Sequence, residues 1–109
     1  MVQVVVDKDK AGNYIGFCSK GHAEYADAGA DIICSALSIL QINTINSIER
    51  IALCSMESRT DQKKGLLEVK FKEDFNEKAK VLMDAMVLGI QEVQKEYGSK
   101  YVSLKIKEH

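Results

Sequence analysis

A chain of 109 residues has room for one domain, and at 46% hydrophobic and 28% charged residues it has the make-up of a globular protein rather than a disordered one. A formal net charge of -1 and a pI of about 6.1 exclude an overall basic field that would hold phosphates, so direct nucleic-acid binding is not expected. Three cysteines, an odd number with no C-x-x-C pair, argue against a disulfide framework, and their spacings with His22 fit no common zinc finger or ribbon; neither metal nor cofactor is expected.

The first residues, Met1 to Asp7, lack a basic leader region and do not read as a signal peptide. No uninterrupted apolar run approaches the ~18 residues that cross a bilayer. A cytoplasmic protein without a membrane partner is the expectation.

In chain order, Met1 to about Lys10 reads as a strand with Val2, Val4 and Val6 on one face. Ala11-Gly12-Asn13 supplies turn chemistry, and Tyr14 to Lys20 is the return strand of a hairpin, with Gly16 marking a bulge or a close backbone approach. His22 falls just past it. Ala23 to Ala30 has no convincing period and few large side chains, which reads as a weakly anchored loop. Asp31 precedes an apolar run and is the N-cap candidate for a helix from about Ile32 to Leu53. Ile33, Leu37, Leu40, Thr44, Ile48 and Ile51 form its core stripe. Ile32, Ala36, Ile39, Ile42 and Ile45 widen that stripe beyond what one sheet face needs, which points to a second copy of the chain as partner.

Cys54 to Ser58 is either a short strand or a helix exit, and Arg59 to Gly65 a polar turn. Leu66 to Lys72 alternates with period two, Leu67, Val69 and Phe71 facing in. Asp74 or Asn76 caps a second helix that continues to about Tyr97, its stripe running from Phe75 through Ala79, Leu82, Met86, Ile90 and Val93 to Tyr97. Gly98 closes it. Tyr101 to Lys107 is the last strand, with Val102, Leu104 and Ile106 inward. The order β-β-α-(β)-β-α-β defines a single α+β domain, a mostly antiparallel sheet with two helices packed on one face.

The chemistry concentrates between His22 and Cys34. With Asp31 as cap, Cys34 sits in the first helical turn, where the helix dipole and free N–H groups stabilise a thiolate. An imidazole within reach can take the thiol proton and leave a strong nucleophile. Each residue also has a plain reading: Cys34 as a small packing residue, His22 as a loop histidine, Asp31 as a cap only. Ser38, one turn after Cys34, either donates to the reacting group or satisfies a helix carbonyl, and Gln41 continues that polar flank. Cys18 and Cys54 read as packing residues.

Gly21-His22-Ala23, followed by Gly29-x-Asp31-Ile32-Ile33-Cys34-Ser35-Ala36-Leu37-Ser38, resembles the ribosomal-processing cysteine protease family. That family's pattern is Gly-His-Ala, a loop of about eight residues, Gly-x-Asp, two β-branched residues, Cys, small residues and Ser; Ser35 departs from it where alanine is more usual. The resemblance implies an endopeptidase that trims a short N-terminal extension from a precursor of the large-subunit ribosomal protein numbered twenty-seven. It implies Cys34 as nucleophile, His22 as base and then acid, and Gly21, Asp31 and Ser38 in support. It further implies a homodimer and a gating loop formed by Ala23, Glu24, Tyr25, Ala26, Asp27, Ala28, Gly29 and Ala30. An oxyanion hole would come from backbone N–H groups near the helix start. Outside that class, a non-catalytic ribosome-associated scaffold and a thiol redox sensor with Cys18 or Cys54 as resolving cysteine are the alternatives.

Overall fold

The computed structural model describes residues 1–22 and 28–109, the side chains of 28–31 excepted. Two strands, β1 (Val2–Lys8) and β2 (Tyr14–Lys20), form the opening hairpin. The Asp9 carboxylate accepts from the N–H groups of Ala11 and Asn13, both at 2.9 Å, and Gly12 takes a φ of +85°, so the turn is held by the acid that starts it. Helix α1 (Ala28–Arg50) then leads to a second hairpin, β3 (Met56–Asp61) and β4 (Leu66–Phe71), and helix α2 (Glu77–Tyr97) returns the chain to β5 (Val102–Glu108).

The sheet order is β3-β4-β2-β1-β5. Its pairs are antiparallel except β1 with β5, which run parallel because α2 separates β5 from the preceding hairpin and carries the chain back. This is the expected α+β layering. Val4, Val6, Phe17 and Val69 on the sheet meet Ile33, Leu37 and Ile48 of α1 and Met83, Met86 and Ile90 of α2 in one core. Gly16 is a close approach: a β-carbon there would collide with the Val69 carbonyl of neighbouring β4.

Helix α2 ends as its sequence dictates. The Asn76 side chain accepts from the Ala79 N–H at 3.0 Å and donates to the Ala52 carbonyl at 2.8 Å, so it caps α2 and ties it to the exit of α1. Gly98, with φ +103°, closes the far end through its N–H to Gln94 O. Asp74, the other cap candidate, instead receives the Ser55 N–H on its carboxylate.

Four expectations need correction. Helix α1 starts at Ala28, not near Ile32, so Asp31 is its fourth residue rather than its cap and Cys34 its seventh. It also stops at Arg50, which leaves Ile51 63% exposed. Arg59, Thr60 and Asp61 belong to β3, with only the residues after them forming the turn; β3 is an edge strand wet on most positions, so its sequence carries little apolar alternation. Ile106 lies far along edge strand β5 and is 47% exposed, whereas Val102 on the same face is sealed.

By length and composition Ile32–Arg50 could cross a membrane. One face of it packs into the core through Ile33, Leu37 and Ile48, while Ile32, Ile39 and Ile42 stay exposed on the other. Against α2, Leu40 fills the notch at Gly89, where a β-carbon would come within 2.9 Å of its Cδ2.

Candidate active site

A cleft of about 430 Å³ opens between α1 and the β3–β4 hairpin. The end of β2 and the residues after it supply Ser19, Gly21 and His22; α1 supplies Cys34, Leu37, Ser38 and Gln41; Thr60, Asp61, Gln62 and Gly65 form the facing wall. Residues twelve apart in sequence, His22 and Cys34, thus share one cavity. Helical spacing explains the α1 wall, since positions 34, 37, 38 and 41 fall on one face.

His22 is held by backbone on several sides. Its carbonyl accepts from the Met1 nitrogen at 2.8 Å, and the preceding Gly21 N–H donates to Lys64 O at 3.2 Å. Gly21 takes a φ of +104°, and a β-carbon there would run into the Met1 carbonyl, so only glycine serves. The imidazole Nε2 lies 3.3 Å from the Lys63 carbonyl in the β3–β4 turn. That turn is in its own right pinned by Asp61, whose carboxylate accepts from the N–H groups of Lys63 and Lys64 at 3.1 and 3.3 Å. A carbonyl can only accept, so in the neutral imidazole this contact favours the tautomer with the proton on Nε2 and the lone pair on Nδ1.

Cys34 is half-buried on the second turn of α1. The helix-dipole argument made for a first-turn thiol does not transfer, because that field fades within the first turn. Its own N–H lies beyond the four that a helix start leaves free, so it is not an oxyanion donor. Ser38 lines the cleft one turn further on and is exposed. The expected gating loop falls on residues 23–27, which lie outside the described residues; Ala28, Gly29 and Ala30 are instead the first residues of α1. The side chain of Asp31 also lies outside them. Sequence reasoning missed the facing wall altogether. The glycine after Lys63-Lys64, which takes a φ of +60°, was the one sequence signal of a backbone turned tightly there.

The other cysteines stand apart. Cys18 lies between the inward-facing Phe17 and Ser19, and burial, then Glu68 and Asp7 nearby, hold its thiol above the usual range. Cys54 is buried and bonds by its N–H to Ile48 O, roughly 21 Å along α1 from Cys34 at the helical rise. A disulfide needs Cα atoms within about 7 Å, so Cys54 is no resolving partner.

Comparison with known proteins gives the class first: the chain is a cysteine protease. It belongs to the cysteine protease Prp family, whose family model matches residues 1–103. The ribosomal processing cysteine protease Prp of Staphylococcus aureus (strain Mu50) is 22% identical over 97 residues, covering 89% of this chain and 92% of that one. The protein of the same name from Bacillus subtilis (strain 168) is 22% identical over 103 residues, covering 89% and 90%. Among solved structures, a Streptococcus mutans protein superposes with a TM-score of 0.87 at 27% identity, over 100% of this chain and 96% of that one. The S. aureus protease in complex with a covalently linked product peptide shares the fold at a TM-score of 0.88 and 21% identity, over 98% of this chain and 100% of that one.

Proposed function

We propose that this protein is the endopeptidase that removes a short N-terminal extension from the large-subunit ribosomal protein numbered twenty-seven during ribosome assembly. The observation that carries the reading is that Cys34 and His22 open on the same peptide-sized cleft. Relatives named for ribosomal processing, and an S. aureus relative seen with a substrate peptide, support the substrate class.

The thiol of Cys34 gives its proton to Nδ1 of His22, the nitrogen left bare by the Lys63 contact. The sulfur attacks the scissile carbonyl carbon and a tetrahedral oxyanion forms. Collapse breaks the C–N bond, and the imidazolium returns the proton to the leaving amine. Water, deprotonated by the same imidazole, then releases the acyl group from sulfur. Gly21 and Ser38 line this reaction space, and Asp31 and the 23–30 segment complete the proposed site. The protein works in the cytoplasm as a homodimer without nucleic-acid or membrane contact; the exposed Ile32, Ile39 and Ile42 of α1 are the proposed mating face.

Incubation with the extended ribosomal protein, read by mass spectrometry, tests the reading. Cleavage at one site, lost in both Cys34→Ala and His22→Ala, is the expected result. An intact substrate, with Cys34 alkylated no faster than Cys18, whose thiol is held above the usual range, would return the chain to the scaffold reading.

A further inference from the structure

Gln41 is only 4% exposed, yet its side chain makes no hydrogen bond to any described residue. No side-chain nitrogen or oxygen among the described residues is sealed off without a partner, so its carboxamide reaches the cleft surface that Gln41 lines. The neighbouring wall repeats the pattern: Ser19 is 6% exposed, lines the same cleft and has no side-chain partner among the described residues. Thr44, one turn beyond Gln41, behaves differently, returning its hydroxyl to Leu40 O at 2.6 Å. At the cleft surface only water is left to satisfy these groups, so a bound chain that offers both a donor and an acceptor can take its place.

Resting on the protease reading, we infer that Gln41 is a substrate-binding residue whose carboxamide grips a peptide group of the bound chain. A carboxamide both donates and accepts, which matches the C=O and N–H of a peptide group and not a lone charge. Gln41 lies seven residues after Cys34 on the same helix face, roughly 10.5 Å along the axis. An extended peptide advances roughly 3.3 Å per residue, so the group held is about three residues from the scissile bond. Ile45 of α1 and Leu67 of β4 line the same cleft and offer apolar surface for the adjoining side chains.

The test uses the full chain and synthetic peptides spanning the extension junction, with each peptide group replaced in turn by an ester. Gln41→Met keeps the volume and removes the hydrogen bonds; it should raise KM about tenfold, the worth of one hydrogen bond to a neutral group, and leave kcat within about twofold. In wild type one ester, about three residues from the cleaved bond, should raise KM similarly, and in Gln41→Met that ester should cost nothing more. An unchanged KM in Gln41→Met, or no ester position whose cost depends on Gln41, overturns the inference. Should Gln41→Met fail to fold, the wild-type ester series decides: a loss centred on that position supports the assignment, and a flat series sinks it. A wild type that cleaves none of the all-amide peptides removes the protease reading itself, a different failure from cleavage indifferent to Gln41.

Discussion

Gly65 presses on His22: a β-carbon at Gly65 would stand 2.8 Å from the imidazole Cε1 and 3.0 Å from Nε2, and 2.6 Å from the Gly21 carbonyl. The β3–β4 turn thus fits against the histidine with no room for a methyl group. The contact joins two segments more than forty residues apart and sets where the imidazole points.

Gly65→Ala should therefore cut kcat/KM by about tenfold to a hundredfold, the scale of an ångström of misplacement in a catalytic group. Strain alone is controlled by Gly12→Ala, which has a comparable positive φ (+85°) and nothing within 4 Å of the added carbon. Gly12→Ala should lose about 1–2 kcal/mol in thermal unfolding from the left-handed backbone, and Gly65→Ala more than that, because its added carbon also meets the Gly21 carbonyl. Only Gly65→Ala should lose activity. Equal activity in the two variants would show that the turn does not position His22.

Asn76→Ala removes the cap of α2 and the tie to Ala52 together. A loss of about 1–2 kcal/mol is expected, or about 4–16 °C in Tm for a domain of this size. Activity per folded molecule, measured well below the transition, should not change, because Asn76 is remote from the cleft. Calorimetry and peptide cleavage on the same preparation check both statements.

The Tyr14 hydroxyl bonds to the Asp84 carboxylate, and with Lys80 at 3.1 Å this holds the carboxyl below its usual range. The same contact, with burial as the larger cause, pushes the tyrosine up. A lowered folded-state value means that the ionised Asp84 stabilises the fold above the ordinary aspartate value of 3.8 and that this contribution is lost as pH falls through the lowered value. Asp84→Asn should accordingly lower Tm by a constant amount from neutral pH down to about 4 and by less at each step below. A Tm gap that stays the same down to pH 2 would contradict the assignment.

Ile39 is 68% exposed on the outer face of α1, and Ile32 and Ile42 are at least half exposed beside it. Burying that face in a second copy should make Ile39→Glu monomeric in sedimentation equilibrium at micromolar concentration while wild type is a dimer, because a buried unpaired carboxylate costs several kcal/mol. A wild-type monomer would remove the proposed mating face.

Residues that carry local physics were legible before any coordinates. The Ala11-Gly12-Asn13 turn before Tyr14–Lys20, alternation in Leu66–Phe71, the Asn76 candidate cap and the Gly98 stop announced their elements because each signal sits within a few residues of what it controls. The start of α1 is hidden in the sequence because Asp31 looks like a cap wherever it precedes an apolar run, while Gly29 opposes the helix that Ala28 and Ala30 favour. Strand β3 was half lost to a turn because an edge strand is free to be polar.

The sequence by itself determined the α+β class, and the spacing of Gly21, His22, Cys34 and Ser38 marked the family to which the chain belongs. Only the tertiary structure decided what stands across from them. Pairing β4 with β2 brings the β3–β4 turn to the end of β2, so that Lys63 O and Gly65 meet His22 and the buried carboxamide of Gln41 faces a cleft rather than a core. Such contacts depend on strand order and on which helix face is covered, and no local pattern in the chain encodes either.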